Sequence, residues 1–213
     1  MRIALLGATG FGGSAILNEA LDRGHTVTAV VRHPEKLPKK DRLSAITGDD
    51  YTVAQLAKTL HGHEAIISAF NPGWKHPNLY DDQVRGTDSI IAALGNADIK
   101  RVLWVGGAGG LEVSPGVRVI DAPDFPDWVK PGSLATINAL EQLRQNPELE
   151  WSFLAPSAQL GPGERTGMFR LGTDQLPVDA KGQSKISVQD FAIAMINELE
   201  NPQHVRQQFT AGY

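Results

Sequence analysis

The stretch Gly7-Ala8-Thr9-Gly10-Phe11-Gly12-Gly13 decides the fold. It follows directly on the apolar run Arg2 to Leu6 and opens a helical pattern carried by Ala15, Ile16, Leu17, Ala20 and Leu21. Glycines at a strand-to-helix turn form the fingerprint of a dinucleotide-binding βαβ unit. Each has a separate task. Gly7 makes the tight turn, Gly10 admits a pyrophosphate close to the backbone, and Gly13 lets the helix pack against the strand. The helix start adds unpaired N–H groups and the positive end of the helix dipole. Thr9, Phe11 and Gly12 complete the turn and join the candidate cofactor-binding residues. A Gly-rich turn alone is a weak signal; its place inside a full βαβ unit gives it weight.

Outward from this turn, the second apolar run, Thr26 to Val31, ends in Arg32. An NAD-preferring site carries Asp or Glu near here to accept hydrogen bonds from the ribose 2′-OH. Arg32 offers a fork of donors suited to a 2′-phosphate, with Lys36 near enough in sequence to add charge, so NADP(H) is expected over NAD(H). The competing reading of Arg32 is a solvated arginine at a strand end. Asp49 and Asp50 follow the third run and suit either the adenine amino group or the cap of the next helix. Ala69 and Phe70 end the fourth run, beside the expected cofactor ribose; Gly106 and Gly107 end the fifth, where a nicotinamide would lie.

The runs Arg2 to Leu6, Thr26 to Val31, Leu43 to Thr47, Ala65 to Ala69, Arg101 to Val105 and Trp151 to Leu154 alternate with helical patterns. This predicts an α/β fold, a Rossmann-like doubly wound parallel sheet with a small C-terminal substrate region. Thr52 with Gln55 reads as a capping box, and Ser187 with Asp190 opens the clearest helix, which Asn201 and Pro202 end. With 213 residues, one NAD(P)-binding Rossmann domain over 1–213 is expected, the Gly- and Pro-rich loops within 106–132 and 156–186 forming its substrate side.

Composition closes several alternatives. There is no Cys, so thiolate metal sites, disulfide scaffolds and Cys redox chemistry are excluded. Lys+Arg number 20 against 24 Asp+Glu, a net charge of −4 that provides no field for nucleic acid. The longest apolar run, Phe191 to Ile196, is far below the ~20 residues of a membrane span. No signal-peptide pattern precedes Gly7, and a cytoplasmic protein, monomer or homodimer, is expected. His61-Gly62-His63 lacks a third ligand nearby in sequence, so no metal is expected.

The chain resembles an atypical short-chain dehydrogenase/reductase of the small NAD(P)H-binding, NmrA-like group, which includes NADH-flavin reductases and is similar to biliverdin IXβ reductase. The resemblance rests on GATGFGG at 7–13, RGHTVTAVVR at 23–32, VGGAGG at 105–110 and ISVQDFA at 186–192. It implies a Rossmann fold and reductase chemistry. Typical members reduce carbonyls with a Tyr-x-x-x-Lys pair and a Ser. Here Tyr51, Tyr80 and Tyr213 have no Lys four residues on. Alignment on the helix before the sixth run puts Ser133 and Ile137 at the Tyr and Lys positions, and Gly106 or Gly107 at that of Ser.

A ketone needs an acid at its oxygen as hydride arrives, whereas a flavin or quinone delocalises the charge. The expectation is therefore an NAD(P)H-dependent oxidoreductase passing hydride to a flavin, quinone or similar conjugated acceptor by orientation, with no single catalytic side chain. The alternative is a non-catalytic NAD(P)-binding redox sensor of the NmrA type. Trp74, His76, Phe125, Trp128, Pro156 and Ser157 are the candidate acceptor-pocket residues, with Leu160, Met168 and Phe169 beyond them. Loop aromatics serve equally to anchor loops on a satellite core. His76, the one histidine on the ligand side, reads as a proton source or as a surface residue beside Pro77.

Overall fold

After Arg2 the first strand is apolar because both its faces are covered: Ile3 and Leu5 point into one core, Ala4 and Leu6 into the other. A computed structural model describes residues 1–48 and 52–213. The elements are β1 (Arg2–Leu6), α1 (Phe11–Asp22), β2 (Thr26–Val31), β3 (Leu43–Thr47), α2 (Val53–Leu60), β4 (Ala65–Ser68), α3 (Leu79–Asn96) and β5 (Arg101–Val105). There follow β6 (Glu112–Ser114), β7 (Val117–Arg118), α4 (Lys130–Arg144), β8 (Glu150–Pro156), β9 (Gln159–Gly161), β10 (Arg170–Gly172), β11 (Lys185–Ser187), α5 (Val188–Glu200) and β12 (Gln207–Gly212).

Among the described residues the main sheet has the order β3-β2-β1-β4-β5-β8-β12-β10, parallel except for β10, which runs antiparallel to β12 at the edge. Winding starts at β1, proceeds to β3 on one side, and resumes at β4 on the other. The strand order therefore reverses between β1 and β4, which opens the ligand crevice of a doubly wound sheet at their C-terminal ends. Helices α1 and α5 contribute to one core and α2, α3 and α4 to the other. This is the Rossmann-like α/β fold.

Local signals account for the helix boundaries. Thr52 Oγ1 accepts the Gln55 N–H at 3.3 Å, and Gln55 Oε1 accepts the Thr52 N–H at 3.3 Å, which completes the capping box of α2. Ser187 Oγ accepts the Asp190 N–H at 3.0 Å at the start of α5. That helix is buried well beyond one apolar stripe, Asp190 and Glu198 included, because the sheet, α1 and the 162–168 segment all lie against it.

Several strands differ from the sequence reading: β4 ends at Ser68, one residue before the run does, and β6, β7, β9, β10 and β11 are not among the runs. β8 is longer than the run Trp151 to Leu154, and β3 is an edge strand with mostly exposed residues despite its apolar composition. β12 had no clear pattern, since Gln207 and Gln208 interrupt the alternation. Pairing with β8, Phe209 opposite Leu154, makes it a strand and buries it on both faces. Among the described residues no helix is long and apolar enough to cross a membrane.

Candidate dinucleotide and acceptor site

The β1–α1 turn is built from backbone that no side chain can enter. Gly7 has φ +78°, and a Cβ there would stand 2.3 Å from the Ala69 carbonyl oxygen. A Cβ on Gly13 would stand 2.1 Å from the Gly7 oxygen, so α1 can start against the turn only with glycine at this position. The Gly10 N–H donates to Gly7 O at 2.9 Å and closes the loop. Gly10 is also the N-cap of α1, where no described side chain caps the helix and the first turn holds no acid. The opening N–H groups of the helix are therefore left for an external acceptor. A Cβ on Gly12 would meet nothing within 4 Å, which marks the open side of the cradle. Thr9, Gly10 and Phe11 are exposed around it. These residues fit a pyrophosphate, which would accept from the free N–H groups and be neutralised in part by the helix dipole.

On the flank, Arg32 is exposed at the end of β2, its Nη2 3.4 Å from the Pro72 carbonyl oxygen. Lys36 is exposed in the short turn Pro34–Lys36. The nearby carboxylate, Glu35, is paired with His33 at 3.1 Å. Asp49 and Asp50 lie outside the described residues. Ala69 underlies Gly7 with its carbonyl. Phe70 turns its ring away from the crevice onto α3, where a Cβ on Gly86 would come within 2.2 Å of it, so only its backbone borders Gly7. Gly106 and Gly107 have packing reasons of their own: the Phe153 ring and Thr136 Oγ1 stand 2.2 and 2.9 Å from where a Cβ would be.

The acceptor candidates divide into two groups. Trp74 reaches from the loop after β4 to the start of α4, where a Cβ on Gly132 would lie 2.6 Å from its ring. Its ring meets Trp128 edge to face at 6.2 Å between centroids, and the two remain 52% and 69% exposed. Phe125 is half-buried beside Gly109, itself against Ser133. His76 Nδ1 lies 3.0 Å from Asp82 Oδ2. These four side chains belong to loops that converge on the N-terminal end of α4. Pro156 and Ser157 do not join them. Both are buried, and Ser157 Oγ donates to Ala211 O at 3.0 Å, because β12, illegible in the sequence, covers the end of β8. Met168 is 77% exposed, whereas Leu160 and Phe169 pack against the α1–α5 core. Ser133 and Ile137 face the 108–110 turn, 2.7 and 3.0 Å from the Cβ positions of Gly109 and Gly110.

Sequence reasoning saw Asp190 only as part of a cap. Its carboxylate accepts the N–H groups of Thr166 and Gly167 at 2.8 and 2.9 Å, the Thr166 hydroxyl at 2.6 Å and the Tyr213 hydroxyl at 2.8 Å. Burial works against the charge, but these hydrogen bonds outweigh it and hold the carboxyl below the usual carboxylate range. Asp190 thus ties the segment after β9 and the last residue, Tyr213, to the start of α5. No spacing rule signals this, since its partners are 23 and 24 residues away. Asp82 was missed likewise, although its place in the first turn of α3 suits a carboxylate.

His63 is a structural residue, bonded to Leu60 O at 2.8 Å and Thr28 Oγ1 at 2.9 Å; among the described residues no His, Asp and Glu cluster could hold a metal. A cavity of about 360 Å³ lies along α4, between Gly107 and Arg144. Glu112, Arg118, Glu141 and Asp174 line it together with the apolar Ile137, Leu140 and Phe153.

A strand-order switch point bordered by a glycine cradle and an uncapped helix start defines a Rossmann-fold dinucleotide-binding protein. Comparison with known proteins agrees. The chain belongs to the NAD(P)H-binding family, whose profile matches residues 7–202. It is 37% identical to the uncharacterized protein YwnB of Bacillus subtilis, over 99% of this chain and 97% of that one. A candidate epimerase from Bacteroides thetaiotaomicron is 44% identical with a TM-score of 0.93, over 100% of this chain and 96% of that one. A candidate NADH-flavin reductase from Streptococcus pneumoniae is 34% identical with a TM-score of 0.83, over 100% and 99%.

Proposed function

We propose that the protein is an NAD(P)H-dependent reductase that prefers NADPH and passes hydride to a flavin, quinone or similar conjugated acceptor. The observation that carries this reading is the makeup of the acceptor side, exposed Trp74 and Trp128 held edge to face; the resemblance, which puts Ser133 and Ile137 at the Tyr and Lys positions, supports it. The bound dinucleotide supplies the hydride. The chain's own part is to bind and orient. Gly7, Gly10, Gly12, Gly13 and the start of α1 take the pyrophosphate, and Arg32 with Lys36 takes the 2′-phosphate. Backbone at Ala69 and Phe70 borders the ribose, and backbone at Gly106 and Gly107 borders the nicotinamide.

Aromatic faces then stack the acceptor against that ring. Holding two rings at transfer distance can by itself supply several kcal/mol of the barrier reduction, about 7–11 in the best intramolecular cases. The 34% identity to a candidate NADH-flavin reductase supports this class of acceptor. The loops within 106–132 and 156–186 form the acceptor side of one Rossmann domain, and a reaction that draws on nicotinamide dinucleotide suits the cytoplasm.

The test is NADPH and NADH oxidation, followed at 340 nm, with FMN, riboflavin and quinones as acceptors. NADPH should be used in preference to NADH, with acceleration by at least one acceptor. Tight NADP(H) binding without turnover on any acceptor would replace this reading with a redox sensor.

A further inference from the structure

We propose that the cavity along α4 is a binding site for a small organic cation, an ammonium or similar N–H-bearing group on a short hydrocarbon body. The inference goes beyond the reductase reading and does not depend on it. The cavity, about 360 Å³, is bounded by α4, by Phe153 of β8 and Gln208 of β12, and by Glu112 and Arg118 of the β6–β7 hairpin, with Asp174 also on its wall. That volume lies at the lower end of the range for small-molecule sites. Ile137, Leu140 and Phe153 give it an apolar side.

The charges on this wall do not balance. Arg144 pairs with Glu141 at 2.7 Å. Arg118 stands opposite Glu112 in the hairpin register, yet its guanidinium is forked onto Asp121, Nε to Oδ2 at 3.1 Å and Nη2 to Oδ1 at 3.2 Å. Each arginine thus has a carboxylate of its own, and among the described residues Glu112 and Asp174 have no cationic partner. Backbone holds these two acids side by side, the Glu112 N–H donating to Asp174 O at 2.8 Å.

The neutral groups point the same way. Gln208 is only 8% exposed, and its Nε2 donates to Asp174 Oδ1 at 2.9 Å. A carboxylate only accepts, so the amide turns its NH₂ to Asp174 and keeps Oε1 without a donor among the described residues. Thr136, 9% exposed, donates its hydroxyl proton to Ser133 O at 2.8 Å and has only lone pairs left to offer. The unmatched polar capacity of the wall is therefore acceptor: two carboxylates, a buried amide oxygen and a hydroxyl. An anion would have to displace Asp121 or Glu141 from its arginine to bind here. A cation with N–H donors satisfies the wall as it stands, while its hydrocarbon packs on Ile137, Leu140 and Phe153.

The test titrates the full chain with 2-phenylethylammonium, with neutral 2-phenylethanol and with anionic 3-phenylpropionate, followed in ¹H–¹⁵N spectra. The Gln208 side-chain NH₂ and the backbone N–H groups of Glu112 and Asp174 report on the cavity; the indole N–H groups of Trp74 and Trp128 report on the other exposed aromatic site. The ammonium should shift the cavity signals and bind at least about tenfold more tightly than the alcohol, the worth of one charge-assisted hydrogen bond; the carboxylate should bind more weakly than either. Glu112→Gln and Asp174→Asn keep the shape of the wall, and each should weaken the ammonium by roughly tenfold while leaving the alcohol within about twofold. Equal affinity for ammonium and alcohol, preference for the carboxylate, or shifts confined to the tryptophans would overturn the inference. So would variants that weaken both ligands alike, since that marks a change of cavity shape instead of a lost charge. Binding is the readout throughout, so a protein that reduces no acceptor would overturn the reductase reading and leave this result standing.

Discussion

At the scale of single residues, the glycines of the first turn are required for different physical reasons, and this separates folding from binding. Gly13 is needed by the fold: a methyl group 2.1 Å from the Gly7 oxygen must push α1 away from its turn. Gly13→Ala is expected to cost about 2–3 kcal/mol, within the range of overpacked sites, measured as a lowered urea midpoint. Gly12 has open space where its Cβ would go, so Gly12→Ala should leave folding unchanged or raise stability by up to ~1 kcal/mol through helix propensity. It should still weaken NADPH binding, because the added methyl enters the cradle. The two variants checked by urea unfolding and calorimetric titration would thus move different readouts.

Arg32 gives a second residue-scale test. With Lys36 as its companion and Glu35 turned to His33, Arg32→Glu should weaken NADPH by roughly tenfold to hundredfold, the worth of a charge-assisted hydrogen bond. NADH should change far less in the same titration. Equal losses would remove the 2′-phosphate assignment.

At the scale of elements, the local rules read well wherever both partners are close in sequence. The capping box of α2 and the Ser187 cap of α5 were legible because a helix start repeats every contact within three residues. The contacts of Asp190 were not, since they join α5, the segment after β9 and the end of β12. Asp190→Ala leaves the N–H groups of Thr166 and Gly167 and two hydroxyls without their acceptor. The expected loss is about 2–3 kcal/mol, with faster proteolysis around Thr166 to Met168 than elsewhere. Unchanged cleavage there would show that Arg165, bonded to Glu19 at 2.8 Å, holds the segment alone.

At the scale of the whole molecule, buried carboxylates couple distant elements and set the response to acid. The Arg23 and Arg165 guanidinium groups hold Glu19 low, Arg165 contributing most, against the opposing effect of burial. Burial raises Glu198, but the side chains and N–H groups of His204, Gln203 and Ser152 bring it below its ordinary value, as hydrogen bonds do for Asp190. A carboxyl with a lowered folded-state pKa contributes its stability above the unfolded value, near ~4, and loses it as pH falls through the folded one. The urea midpoint should therefore hold steady from about pH 7 to pH 5 and drop below pH 4. Asp190→Asn, which cannot ionise, should flatten part of that drop. By itself the sequence determined the parallel α/β order, the glycine cradle and the helix caps, because these follow from period-2 and period-3.6 patterns and from backbone that only glycine permits. The tertiary structure alone decided that β12 closes over Pro156 and Ser157, that Phe70 turns to α3, and that Trp74 meets Trp128 while His76 meets Asp82. Those outcomes depend on which surfaces remain to be covered once the sheet has assembled, and no local stretch of chain carries that information.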